Sequence, residues 1–228
     1  MLAPDQRGYN LSDKPRGIGA YQVGLIDALG RDKACLVGMT GARRWPGKPP
    51  YAARSGWKSW SSSMSPHPAV MQHFIFSRAS QLRKSWYIFA FQPPALPEWL
   101  LSRNHYASLR RAMVNSARPD TFSQEDIDLY IQAWSQPGAL TAMLNWYRAI
   151  FRSGLRSSWN PNKMTAARIH VPTLMLWGAL DFALSREMAQ PSIDLCAEGK
   201  LVFLEDATHW VQHDRPKEVN ARLLAFLT

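Results

Sequence analysis

Acidic residues are scarce in this chain of 228 residues, 17 Asp and Glu against 27 Lys and Arg, and residues 39–65 contain none at all. Cysteine is nearly absent. Cys35 and Cys196 stand far apart, which excludes a disulfide framework and fits a reduced, cytoplasmic chain. No apolar run approaches the roughly 18 residues that a membrane helix needs, and Met1–Asp5 has none of the features of a signal peptide, so no membrane association is expected. There is no internal repeat and no Gly-x-Ser-x-Gly motif to supply a serine nucleophile. What is present is a 46% apolar composition, which rules out wholesale disorder and suffices for a sizeable core in one domain with an inserted subdomain.

The net charge of +10 suggests nucleic-acid binding until its location is examined. Arg43, Arg44, Lys48, Arg54 and Lys58 put +5 into the 27 residues 39–65, and the other 201 residues share the remaining +5. The excess sits in one segment that matches no nucleic-acid-binding motif, so no nucleic-acid partner is expected. That segment, MTGARRWPGKPPYAARSGWKSWSSSMS, holds three Trp, three Pro, three Gly and six Ser, with no Leu, Ile or Val. It keeps neither a 2-residue nor a 3.6-residue period and reads as a loop or disordered stretch, unusually long for a compact domain.

On either side the pattern is ordered. A short amphipathic helix over Tyr21–Leu29 stops at Gly30, and Ala34–Val37 suits a buried parallel strand. Residues 69–91 are largely helical in pattern. Helices follow at Glu98–Arg103, Tyr106–Asn115, Gln124–Trp134 behind the N-cap Ser123, and Ala139–Arg152. The last third alternates: a strand over Val171–Trp177, a helix over Arg186–Leu195, a strand over Leu201–Leu204 and a helix over Lys217–Leu227. Strand–helix pieces around an all-helical block predict an α/β sheet domain with a helical insertion.

Three features could carry chemistry. Asp181 follows the strand ending in Trp177, where open α/β sheets place their sites, although a loop Asp can equally cap the next helix. His209 follows the next strand. A lone histidine is more often structural, but an acid and then a histidine after successive strands is the order of the last two members of an α/β-hydrolase triad. Tyr87 and Tyr147 lie in the helical block, where aromatic residues are usually core.

Together with their surroundings these residues carry a resemblance. The segments Pro66-His67-Pro68, SWYIFAFQPPALPEW (85–99), LNWYR (144–148), VPTLMLWGALDFAL (171–184) and DATHWVQHDRPKEVN (206–220) resemble the epoxide hydrolase group of the α/β-hydrolase fold family, relatives of the haloalkane and haloacetate dehalogenases. APDQRGYNLSDKP (3–15) and DALGRDKACLVG (27–38) match the family pieces just before its nucleophile. The resemblance implies a mostly parallel, incomplete α/β-hydrolase sheet built from residues 1–80 and 166–228, with a helical lid at 81–165. It also implies Asp181 as triad acid, His209 as the base that activates water, and Tyr87 and Tyr147 as the lid phenols that hydrogen-bond an epoxide oxygen. A small apolar epoxide is the implied substrate, with no metal or organic cofactor; a homodimer is compatible. A dehalogenase lid would carry Trp, His or amide donors suited to halide, so the two tyrosines favour the epoxide.

One part of the family pattern is missing. After Val37-Gly38 the family reads Gly-His-Asp-Trp-Gly, whose Asp is the nucleophile; here Thr40 stands at that position. The family's earlier strands, with the His-Gly-x-Pro loop that gives one oxyanion N–H, also have no counterpart, so truncation at the N-terminus is expected. Back-translation of residues 39–65, read one nucleotide earlier, gives HDWGAAVAWEAALRRPERVEKLVVLNV with permissible codons. The Asp over Met39-Thr40 and the Ala over Trp45-Pro46 are forced whatever the codons. A frame disruption over 39–65 is therefore expected. The shifted reading has no net charge, so it also accounts for half of the basic excess.

Overall fold

The computed structural model describes residues 5, 9–14, 34–38, 57–63, 66–156 and 168–228, which divide into two compact units. The helix expected at Tyr21–Leu29, Thr40 and the rest of 39–65 apart from 57–63 lie outside the described residues.

One unit spans Ala20–Ser85 and Ser158–Thr228 and contains a four-stranded parallel sheet in the order β1-β2-β3-β4. The strands are β1 (Ala34–Gly38), β2 (Trp57–Ser63), β3 (Thr173–Gly178) and β4 (Gly199–Leu204). Every residue of β3 is buried, as its unbroken apolar run requires of an interior parallel strand. Met175, Leu176 and Trp177 are wholly inaccessible and form the centre of a core that includes Val70, Ile169, Met188, Leu204, Val211 and Val219. Leu176→Ala should therefore cost about 2–5 kcal/mol, read as a lower urea midpoint. Leu180→Ala, at a position 59% exposed, should leave the midpoint nearly unchanged.

β2 corrects the reading of 39–65 as a structureless loop. Its registers run from Cys35↔Ser59 to Gly38↔Ser62 on one side and from Trp60↔Thr173 to Ser63↔Leu176 on the other. A strand between two parallel neighbours is held by its backbone, whose ladder does not depend on side-chain type, so position in the sheet overrides weak local propensity.

Around this sheet lie α1 (Pro68–Ser77) and α2 (Ala79–Lys84). His67 caps α1 by accepting the Ala69 N–H at its Nδ1, while its own N–H donates to Ser192 Oγ at 2.9 Å.

The other unit spans Met1–Gly19 and Trp86–Ser157. Its helices are α3 (Trp86–Ala90), α4 (Leu96–Asn115), α5 (Gln124–Ser135) and α6 (Ala139–Arg156). Ser123 caps α5 in a reciprocal box with Asp126. The two helices expected over 98–115 are one run broken at Arg103–Tyr106, where Asn104, His105 and Tyr106 take positive φ. Left-handed residues of this kind cost about 1–2 kcal/mol each. Tyr106 is held there by donating its hydroxyl to the Trp134 carbonyl at 3.2 Å.

The sheet unit closes with α7 (Ala189–Ile193), α8 (Val211–Asp214) and α9 (Pro216–Leu227). The single helix expected over Arg186–Leu195 is a 3₁₀ turn at Arg186–Met188 followed by α7. Pro191 is the reason: without an N–H it fits only the first turn of a helix, so the run restarts just before it. Among the described residues no helix is long and apolar enough to cross a membrane.

Candidate active site

The carboxyl ends of β3 and β4 carry the two loops that hold Asp181 and His209. The loop after β3 is tied down by its backbone: Ala179 N–H donates to Leu204 O at 3.0 Å and Leu180 N–H to Ala207 O at 3.0 Å. Asp181 is 6% exposed. Its Oδ1 accepts the N–H groups of Ala183 at 2.6 Å and Leu184 at 3.0 Å, and its Oδ2 lies 2.9 Å from His209 Nδ1. Oδ1 is thus used in orienting the carboxylate and Oδ2 in holding the imidazole. With Nδ1–H donating to Asp181, Nε2 is the basic nitrogen of His209, the tautomer that general-base chemistry needs.

The histidine loop has its own brace. Thr208 donates both its N–H, at 2.7 Å, and its hydroxyl, at 2.6 Å, to Asp214 Oδ2. The ring of His209 stands edge-on to Trp210 at 5.8 Å and to Phe182 at 6.1 Å. Asp181 and His209, 28 residues apart in sequence, are thus brought into one hydrogen-bonded pair.

In the helical unit Tyr87 on α3 and Tyr147 on α6 meet edge to face, their ring centroids 5.7 Å apart, with Phe91 packed on both. Burial pushes the Tyr147 phenol above its ordinary value, so the group, already protonated at neutral pH, stays able to donate further into the alkaline range. Tyr9 is pushed up in the same way by burial and then by the proximity of Tyr147.

Arg148, next to Tyr147, holds the helical unit together in a way that its sequence neighbourhood does not signal. It is 7% exposed. Its Nη atoms bond both carboxylate oxygens of Glu98 at 2.7 and 3.0 Å, its Nε donates to Phe91 O at 2.9 Å, and its Nη2 donates to Pro93 O at 2.8 Å. Burial pushes the Glu98 carboxyl up, but the hydrogen bonds and charge of Arg148, together with hydrogen bonds from the Glu98 backbone and the Thr141 side chain, jointly outweigh it and hold the group below its ordinary value. A carboxyl lowered on folding adds stability above the ordinary carboxylate range and loses it as pH falls through the lowered value. Glu98→Gln should therefore lower the melting midpoint at neutral pH and flatten its decline in acid. Dichroism melts across pH check this; a decline parallel to that of the parent would contradict it.

Among the described residues no three His, Cys, Asp or Glu side chains gather closely enough to ligate a metal ion. Thr40 lies outside the described residues.

No protein-family model matches the chain. It is 39% identical to the α/β-hydrolase superfamily protein YfhM of Bacillus subtilis, covering all of this chain and 80% of that protein. It is 30% identical to epoxide hydrolase A of Mycobacterium tuberculosis, covering all of this chain and 81% of that protein. Among solved structures, one of a group of epoxide hydrolases from metagenomes of hot environments superposes with a TM-score of 0.80 at 28% identity, covering 99% of this chain and 80% of that one.

Proposed function

The chain belongs to the α/β-hydrolase superfamily, among its epoxide hydrolases, and from that premise we propose that it carries the hydrolytic half of an epoxide hydrolase site whose nucleophile has been lost to a change of reading frame. The observation that carries the reading is the Asp181–His209 bond at 2.9 Å, backed by two amides on the far oxygen. In the intact enzyme the Asp at position 40 attacks an epoxide carbon. The C–O bond breaks, and the oxygen takes a proton from one of the two phenols that hydrogen-bond it, Tyr87 or Tyr147, which later regains a proton through solvent from the imidazolium of His209. His209, oriented by Asp181, then takes a proton from water, which cleaves the resulting ester and releases a vicinal diol. The lid role of the helical unit and the triad roles of these residues are parts of the same proposal.

Support for the frame change comes from the sheet as well as from the back-translation. β2 lies between two parallel partners, a slot that normally takes an apolar run, yet it reads WKSWSSS, with four serines and a lysine. The shifted reading puts Leu-Val-Val-Leu at residues 60–63, the part of β2 that pairs with β3.

The test is to replace residues 39–65 with the shifted reading and offer styrene oxide. Diol formation that disappears with His209→Ala supports the proposal. Release of halide from a haloalkane or haloacetate instead would move the chain to the dehalogenases. Ligand-induced thermal stabilisation without turnover of either substrate would mark a non-catalytic remnant.

A further inference from the structure

We infer that Gln81 is a positioning residue for the Asp181–His209 pair, a role that rests on the reading of that pair as the hydrolytic base and its carboxylate. Gln81, on α2, is completely inaccessible. Its Nε2 donates to the Ala183 carbonyl at 2.8 Å and to Ser85 Oγ at 2.9 Å, and its Oε1 accepts the Ser185 N–H at 3.0 Å. Those two backbone partners lie on either side of Leu184, so one side-chain amide spans the strand of loop that supplies the Ala183 and Leu184 N–H groups to Asp181 Oδ1.

The geometry forms a chain of constraint. Gln81 fixes the peptide planes on either side of Leu184; the first of these carries the Leu184 N–H, which donates to Oδ1 beside the Ala183 N–H of the adjoining plane, and Oδ1 held this way turns Oδ2 towards His209. Lys84, one helical turn further along α2, adds a hydrogen bond from its Nζ to the Asp181 carbonyl at 3.1 Å. Glutamine suits the task because its planar amide both donates and accepts while carrying no charge. A carboxylate in its place would meet the Ala183 carbonyl with an acceptor, and an aliphatic chain would leave two buried backbone groups unpaired.

The experiment uses the chain as it stands, labelled with nitrogen-15 histidine, and follows the Nδ1–H proton resonance of His209, assigned by its absence from His209→Ala. Asp181→Asn establishes how the signal responds when the carboxylate is lost. Gln81→Leu should abolish or broaden the resonance. Ser192→Ala is the control: Ser192 is as buried, accepts from His67 N–H at 2.9 Å and donates to Met188 O at 2.7 Å, but has no bond to residues 181–185. It should lower the melting midpoint and leave the resonance intact. If Gln81→Leu does not fold, Gln81→Glu, which keeps the shape and the acceptor, is read in the same way. A folded Gln81 variant with the resonance at full strength overturns the inference, as does a Ser192→Ala signal lost in step with stability. Failure of the functional reading looks different: the resonance follows Gln81 while the frame-restored chain shows no hydrolysis that depends on His209.

Discussion

Incubated with styrene oxide, the chain as written should form no diol above the buffer blank, and His209→Ala should change nothing. The hydrolytic step needs an ester to act on, and the ester needs a carboxylate at position 40, where the sequence has Thr40. Threonine is a weak nucleophile without an adjacent base, and its branched Cβ fits poorly in the strained turn that presents a nucleophile. Where nucleophile and base act as a unit, removing the nucleophile alone costs about 10⁶-fold in rate. A well-formed Asp181–His209 pair does not rescue this, because in the proposed mechanism it serves the second step. Substitution of residues 39–65 by the shifted reading restores Asp at 40 and gives β2 an apolar run, so activity and thermal stability should rise together. Turnover by the unaltered chain that His209→Ala abolishes would contradict the account.

Gly178→Ala should be the most damaging single substitution in the sheet unit. Gly178 ends β3, paired with Leu204 on β4. A methyl there would clash with the Thr208 carbonyl oxygen and lie 2.6 Å from that of Ala207. Both contacts are backbone, and both belong to the segment that delivers His209. The clash can be relieved only by separating the two loops, which breaks the Leu180–Ala207 hydrogen bond and withdraws the imidazole from Asp181. A loss of more than about 3 kcal/mol is expected, seen as a collapse of the urea midpoint or of soluble yield. Gly138→Ala is the comparison. Its φ of +74° strains any side chain, but its nearest neighbour would be a Lys14 methylene at 3.7 Å. It should cost about 1 kcal/mol. A Gly178→Ala protein with the parent midpoint would show that the two loops are less tightly joined than the structure places them.

The sequence made legible those elements whose side chains carry the signal. β3 and β4 announce themselves by short apolar runs, and an acid and a histidine follow them at the positions where the two loops now meet. Ser123 marks the start of α5 because capping is local chemistry. β2 was illegible because its place comes from partners on both sides rather than from WKSWSSS itself. The break in α4 falls where the sequence separates a helix over Glu98–Arg103 from one over Tyr106–Asn115; what it does not signal is the left-handed backbone of Asn104, His105 and Tyr106, none of them glycine. Gln81 and Arg148 are illegible for the same reason as β2. Their partners lie about 50 to 100 residues away in the chain, and nothing in a single polar residue on a helix tells which distant backbone it will hold.

The central claim, that residues 39–65 are an epoxide hydrolase's nucleophile segment read out of frame, is tested most directly by the nucleotide sequence of the gene from codon 38 to codon 66. The account predicts a Gly38 codon ending in C and ACT for Thr40, so that CAT-GAC-TGG, His-Asp-Trp, lies one nucleotide earlier, with the shifted frame open to Ser65. A Thr40 codon ending in any other base, or a stop codon in the shifted frame before Ser65, would contradict it.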